Sequence, residues 1–405
     1  MLSDFYPPVV GGMERHVESL SRKLIDRGHD VRVCTSWHEG LPKFEVIQGV
    51  KVTRIEGFFQ KVRYLYGDPT RRYPPPTYDA LTTRKLESLI REHKPELIHA
   101  HGWILYSALQ LRHKMKVPIV VTLHDYGLIC PKKTLLLSNR NVCETPFTPK
   151  CVRCAGEEYG LPKSLLVSVL TKHNRKYLDR VDRYLAVSSF VREVHCKYLG
   201  LPAADVVVIP NFHDADQEID EAGLSGTLPD DFILFVGSLH PAKGVDTLTE
   251  AYSLISTKTS LVLIGAKRPR YTYREKSNVR VFENAPVALV AEAYKRCRFV
   301  IIPSLFPDPC PSVAFEAMSR EKAVIASKIG GLTDIVRDGE TGFLVIPNDS
   351  VKLANKVSYL LKNRDECARM GKMGGDRVAS LFSSRTIVPQ IERQYESIIA
   401  DGTGI

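Results

Sequence analysis

Residues 299–318, FVIIPSLFPDPCPSVAFEAM, hold three kinds of signal in one short span. An apolar run ends at Ile302, a loop follows with Pro303, Pro307, Pro309 and Pro311, and a helical pattern opens at Ser312. An apolar run without alternation suits a strand covered on both faces. Ser312 stands where an N-cap is expected, because its hydroxyl can accept from the first free amides of a helix. Strand, loop and helix in this order are the unit of a doubly wound parallel sheet, whose ligands gather at the carboxyl ends of the strands. The fold therefore turns on whether the unit recurs.

It recurs on both sides. Apolar runs at 31–35, 96–100, 117–122, 183–187 and 206–209 alternate with helical patterns in the first half. Runs at 232–237, 260–265, 279–282 and 323–326 do the same in the second. Between them, near Pro210, Asn211 and Phe212, the pattern breaks into a polar, acidic stretch that reaches about residue 231. The expectation is an α/β protein of two doubly wound, Rossmann-like domains, residues 1–211 and 212–384, facing a cleft, with a last helix over 385–405. The first helix follows Gly11–Gly12 and carries Met13, Val17, Leu20, Leu24 and Ile25 on one face. Bare amides after a glycine pair, with the helix dipole behind them, form a place for an anion.

Bulk properties narrow the class. A chain of 405 residues exceeds what one core usually serves. Apolar residues at 44% and charged residues at 25% are ordinary for a globular protein. No run reaches the length of a membrane-spanning helix, and no secretory leader is visible, so the cytoplasm is the expected compartment. The formal charge of +10 suits a phosphate-bearing partner, or simply keeps the surface soluble. The basic, aromatic stretch 58–73 is a candidate for contact with the inner face of a membrane, or else a loop with a buried aromatic anchor.

Several side chains suggest chemistry. Asp308 lies in the proline loop and Glu316 eight positions on, inside the helix. Ionised carboxylates are pure acceptors and suit sugar and ribose hydroxyls; the plainer reading is a buried turn and an ordinary helix glutamate. Gly237 and Ser238 end the run at 232–237, and Lys243-Gly244 opens the next helix, where an ammonium can neutralise a diphosphate. A solvated lysine is the alternative. His124 closes the run at 117–122, at a ligand-binding edge, though a lone histidine is usually structural. Gly330–Gly331 would let a backbone approach a ligand closely. Cys130, Cys143, Cys151 and Cys154 fall within 25 residues, the last two as a CxxC. That set suits a structural zinc, and disulfides or free thiols are the alternatives.

Taken in order, these blocks resemble the family 4 retaining glycosyltransferases, which have the GT-B fold. The resemblance covers essentially the whole chain. It rests on Pro-Pro-x-x-Gly-Gly-x-Glu at Pro7 to Glu14, Lys243-Gly244, the paired acids, Gly330–Gly331, and Asp-Gly-x-Thr-Gly at Asp338 to Gly342. The resemblance implies a nucleotide-sugar donor, UDP- or GDP-linked, held by the second domain, and a last helix that crosses back to the first. Glu316 would bind the ribose, Asp308 the transferred sugar and Lys243 the diphosphate. His124 would contact the donor sugar. Amides near Gly12 and at Pro311, Ser312 and Val313 would contribute, except that Pro311 has no N–H. Gly237 and Ser238 would line the donor, and 281–284, with Phe282, would follow the base.

The implied reaction is transfer with retention to a saccharide, lipid-linked or small-molecule acceptor, as in envelope or exopolysaccharide synthesis. The leaving phosphate takes the acceptor proton, so no protein base is named, and no catalytic cofactor is expected. Three departures stand out. Asp308 replaces the commoner glutamate. Ser238 stands where arginine is frequent, with Lys267 or Arg268 as a candidate substitute. Only Met1, Leu2, Ser3 and Asp4 precede the glycine loop, which reads as a truncated first strand with Met1 an internal methionine, or as a stub that the fold tolerates. The rival functions are a GT-B sugar-nucleotide epimerase or hydrolase, which turns over donor without acceptor, and a non-catalytic nucleotide-sugar or nucleic-acid binder. Nucleic acid is the least expected partner, because no long basic block is present.

Overall fold

Continuous apolar runs become strands only where both faces are covered, and this chain covers two sheets in that way. The computed structural model describes residues 1–9, 11–62, 73–137, 141–214, 227–266 and 278–402. Its strands are β1 (Leu2–Ser3), β2 (Arg32–Ser36), β3 (Phe44–Ile47), β4 (Val50–Ile55), β5 (Ile98–His101), β6 (Ile119–Leu123), β7 (Leu136–Leu137), β8 (Asn141–Val142), β9 (Arg183–Ala186), β10 (Val206–Val208), β11 (Phe232–Val236), β12 (Ser260–Gly265), β13 (Val279–Glu283), β14 (Val300–Ile302), β15 (Val324–Ser327) and β16 (Gly342–Val345). The chain forms two compact units. The first comprises Met1–Leu135, Cys143–Asn211 and the chain from Ser384 on; the second comprises Leu136–Val142 and Phe212–Ser383.

The first unit's sheet runs β10-β9-β6-β5-β1-β2-β4-β3, parallel except for β3 against β4. The two-residue β1 sits in its middle, pairing Leu2 with Cys34 and Ala100 on either side. The helix Gly12–Asp26 buries Val17, Leu20 and Leu24, and Val17 packs with Tyr6, Val33, Val50 and Val52. Strands β3 and β4 are absent from the sequence reading. Phe44 and Val46 are exposed on the edge strand, so no buried alternation marks it. The hairpin turns on Gln48 and Gly49, both at positive φ (48° and 85°). Both central residues of a type I′ turn need that geometry.

The second unit's sheet runs β13-β12-β11-β14-β15-β16, all parallel. Alternate residues of one strand feed two separate cores. Phe232 and Leu234 join Val262, Ile264, Val300 and Ile302 on one face. Ile233 and Phe235 join Leu261, Leu263, Phe299 and Ile301 on the other. This explains why the runs carry no polar alternation. In each sheet the strand order reverses direction once, between β1 and β5 and between β11 and β14. The carboxyl ends at such reversals are where open α/β sheets bind ligands.

The last helix, Ser384–Gly402, belongs to the first unit. Arg27 donates through Nε to both Glu392 carboxylate oxygens at 2.7 and 2.8 Å. Tyr395 Oη lies 2.6 Å from His99 Nδ1. Among the described residues no helix is long and apolar enough to cross a membrane.

Candidate active site

In the second unit the reversal point brings two loops together. The loop after β11 carries Lys243, and the loop after β14 carries Asp308. Leu305 and Phe306 both donate their amides to the Ala242 carbonyl, at 2.9 and 3.0 Å. His240 caps the same turn, accepting from the Ala242 amide through Nδ1 at 3.2 Å. Gly244 adopts φ 73°, and a Cβ there would lie 1.8 Å from the Pro303 carbonyl oxygen, so only glycine fits. These contacts deliver Lys243 Nζ to Asp308 Oδ2 at 2.5 Å, with both groups part-buried. The sequence assigns the two residues to separate partners, and the structure joins them as an ion pair.

Gly330–Gly331 supports that loop rather than standing open to a ligand. Cβ atoms on the pair would meet the Pro307, Asp308 and Pro309 backbone at 2.1–2.6 Å. The Gly331 amide donates to the Asp308 carbonyl at 2.8 Å. The expected close approach is therefore made by the protein's own backbone. The helix after the loop is Ser312–Met318, and its N-cap is Pro311, with no side-chain cap bond. The expectation of a Ser312 cap is corrected: the proline ring fixes an extended φ of -72° at the cap and moves Ser312 into the first helical position. Val313 follows it, part-buried against the core.

Glu316 lies on that helix, part-buried, with its backbone carbonyl accepting from Arg320 Nη1 at 3.0 Å and from Ser319 Oγ at 3.2 Å. Burial lowers the His213 pKa, and the nearby Glu316 carboxylate works against that shift. Burial pushes the Tyr294 phenol well above its ordinary value, with the Glu316 charge adding to it. Phe282, on β13, packs its side chain, partly buried, against the core cluster. Gly237 follows β11, with its amide donating to the Ile264 carbonyl at 2.9 Å, and Ser238 comes next. Lys267 and Arg268 lie outside the described residues, as do 63–72 of the basic aromatic stretch.

In the first unit, His124 follows β6 and is one of four clustered imidazoles. His101 Nδ1 lies 2.9 Å from His124 Nε2. The His16 ring centroid is 5.1 Å from that of His124, and His99 is 4.1 Å from His101. Burial drives the pKa of His99, His101 and His124 well below the ordinary value and brings His16 down to about 4. All four are therefore neutral at pH 7. Gly12 opens its helix, with Gly11 as an N-cap that makes no side-chain cap bond. A Cβ on Gly12 would touch nothing within 4 Å, while one on Gly11 would meet the Glu14 carboxylate at 2.4 Å. The buried Asp4 carboxylate accepts from the Trp103 and Ile104 amides at 2.9 and 2.7 Å and braces the turn after β5.

The sequence reading gives no role to His16, His99, His101 or Asp4. The His-x-His alternation at 99–101, on one face of a strand, is the signal that could have marked the cluster. The four cysteines stand differently. Cys130, Cys143, Cys151 and Cys154 are free thiols. Burial pushes the Cys130 thiol up to about 11 and raises that of Cys143. Among the described residues no group of three or more His, Cys, Asp or Glu side chains is arranged to hold a metal ion. Cys130, Cys143, Cys151 and Cys154, expected to hold zinc, are not gathered into such a group among the described residues.

The comparisons with known proteins agree with this architecture. The family model described as Glycosyltransferase Family 4 matches residues 10–217, and that for Glycosyl transferases group 1 matches residues 216–377. Glycogen synthase of Mycobacterium tuberculosis is 25% identical over 421 residues, covering 98% of this chain and 93% of that protein. Sucrose-phosphate synthase from Thermosynechococcus elongatus superposes with a TM-score of 0.74 at 21% identity, over 99% of this chain and 98% of that one. Anabaena HepE, solved in complex with UDP-glucose, gives 0.68 at 19% identity, over 98% and 99%.

Proposed function

The chain belongs to glycosyltransferase family 4, with the GT-B fold, and we propose on that premise that it moves a sugar from a nucleoside-diphosphate donor to a glycan, lipid-linked or small-molecule acceptor with retention at the anomeric carbon. The observation that carries this reading is the Lys243–Asp308 pair at the strand reversal, held at 2.5 Å by loops braced backbone to backbone. A lysine there supplies charge to a leaving diphosphate, and a carboxylate beside it accepts from sugar hydroxyls. Glu316 accepts from the ribose. His124 meets a sugar oxygen.

In the proposed step the bond from the anomeric carbon to the diphosphate oxygen breaks. A bond from the same carbon to the acceptor oxygen forms on the same face. The acceptor proton passes to the leaving phosphate oxygen, so the protein's own work is orientation and charge stabilisation. The bound UDP-glucose of the HepE complex supports a nucleotide-sugar donor, and glycogen synthase among the relatives supports a glycan acceptor.

Thermal unfolding against UDP, GDP, ADP and their glucose or mannose derivatives tests the reading. A ligand that binds only the folded chain raises the midpoint by mass action. A rise selective for one diphosphate, lost in Glu316→Ala, is the expected result. No rise with any of them would overturn the donor-site assignment. Donor consumption at the same rate with and without any acceptor would favour a hydrolase or epimerase instead.

A further inference from the structure

We propose that the helix Leu161–His173 is a docking surface for an anionic membrane, with a row of leucines that enters the acyl boundary and lysines that meet lipid phosphates. The inference goes beyond the donor site and does not depend on it. It also concerns a different surface from the basic, aromatic stretch 58–73, most of which lies outside the described residues.

The helix is built inside out. Gly160, at φ 78°, turns the chain out of the helix Lys150–Tyr159 and caps the new one, with Pro162 in its first turn. The buried residues of the new helix are Ser164, Val167 and Thr171, two of them polar. Ser164 Oγ donates to the Val152 carbonyl at 2.8 Å and ties the two helices together. Thr171 Oγ1 donates back to the Val167 carbonyl at 2.8 Å. Hydroxyls satisfied in this way can face inward at little cost. The apolar residues face outward instead: Leu161, Leu165, Leu166 and Val169 are 66, 54, 45 and 54% exposed. Spacings of four, five and eight put them on one stripe. An ordinary surface helix turns such a stripe to the core. Apolar residues exposed singly need no explanation, but a contiguous row marks a contact.

Charge selects the partner. The row runs on into Lys172 and His173, both exposed, and Lys176 beyond them is exposed as well. From residue 161 to 178 the chain has Lys163, Lys172, Arg175 and Lys176 and no acid. Arg175 is spent inside the protein, where its Nη2 donates to the Tyr198 carbonyl at 2.9 Å and its guanidinium covers the Phe147 ring. Lys172 and Lys176 stay at the surface. A second copy meeting this face with its own would bring no carboxylate from the row, since the nearest acids in sequence are Glu157, Glu158 and Asp179. An anionic bilayer offers apolar depth and phosphate together. Thirteen residues make a helix about 20 Å long, too short to span a bilayer. The helix therefore lies in the interface, with its lysine stems along the apolar boundary and their ammoniums at the headgroups.

The experiment is sedimentation of the full chain with vesicles, either of phosphatidylcholine alone or with about a third phosphatidylglycerol, at low salt and at roughly 0.5 M. The chain should sediment with the anionic vesicles at low salt, less at high salt, and little with the neutral ones. Leu165→Gln with Leu166→Gln removes apolar surface without adding charge, and Lys172→Gln with Lys176→Gln removes charge alone. Each pair should weaken binding about tenfold or more. No sedimentation with anionic vesicles at low salt would overturn the proposal. So would binding unchanged in the leucine pair, because the membrane would then be met elsewhere. Equal binding to neutral and anionic vesicles would overturn it too, since the lysines would play no part. Sedimentation velocity without lipid covers the other occupant: a dimer that the leucine pair dissociates, with no vesicle binding, would give the face to a second copy. Should the leucine pair fail to fold, Leu165→Trp decides. Its fluorescence should be quenched by brominated acyl chains well beyond that of wild type, and quenching equal to wild type would overturn the proposal.

Discussion

Lys243 and Asp308 neutralise one another across 65 positions of sequence, and that pairing gives the two residues different signatures on substitution. An incoming diphosphate competes with Asp308 for the ammonium. Removing the acid as Asp308→Asn frees Lys243, so affinity for a nucleoside diphosphate alone should hold or rise while sugar transfer falls. Removing the lysine as Lys243→Ala takes away a charge-assisted bond and leaves a part-buried carboxylate facing the phosphates. Diphosphate affinity should then drop about tenfold or more. Calorimetric titration with UDP, GDP and ADP separates the cases, and an equal loss in both variants would show that the pair only holds the loops together. The sequence marks the residue types here but not their meeting, because neither acid nor lysine signals that β11 and β14 are neighbours. The same holds for His124. It is legible as a histidine at a strand end, while its partners come from a helix and a neighbouring strand that only the sheet order brings near.

Among the elements, the strands buried on both faces are readable, and so are the edge strands β10 and β13, while the edge hairpin of β3 and β4 is not. Runs such as 232–237 and 260–265 announce themselves because both cores demand apolar residues. The edge strand β3 shows half its residues to solvent and depends on a turn at Gln48 and Gly49 for its place. The Cys-rich segment was readable as a cluster, yet its thiols are shaped by burial and by the helix Lys150–Tyr159 rather than by a ligand set. Glycine positions give an element-level test. Gly244→Ala combines φ 73° with a Cβ 1.8 Å from the Pro303 carbonyl oxygen, a clash with backbone that no rotamer relieves. It should destabilise the second unit by about 2–3 kcal/mol and move Lys243 away from Asp308. Gly339→Ala has a similar φ of 79° but open space, so its loss should be about 1 kcal/mol. Denaturant melts of the two variants compare them, and equal losses would show that backbone strain alone, not the close approach, governs Gly244.

At the scale of the whole molecule, buried histidines are unevenly shared between the units, and acid should therefore act on one before the other. The first unit holds His99, His101 and His124, pushed well below the ordinary value, and His16 and His195, both brought down to about 4, in every case chiefly by burial. In the second unit His213 is lowered less completely, since Glu316 partly offsets its burial. A histidine with a depressed folded pKa binds fewer protons when folded than when unfolded. Stability then rises with pH, is complete above the unfolded pKa of about 6.5, and falls as pH drops below it. Each such group contributes about 1.4 kcal/mol per pH unit once the unfolded form is charged and the folded form is not. Five acting together would remove several kcal/mol from the first unit between pH 6.5 and 5, where carboxylates are still mostly ionised. Calorimetry across that range should show the melt of the full chain splitting, with one transition moving steeply down and the other moving little. His16→Phe and His195→Phe keep an aromatic ring of similar size without the titrating nitrogen, so each should flatten the slope of the lower transition by about one proton. A slope unchanged in both variants would mean that His16 and His195 bind protons alike in the folded and unfolded chain, and their burial would then carry no pH dependence.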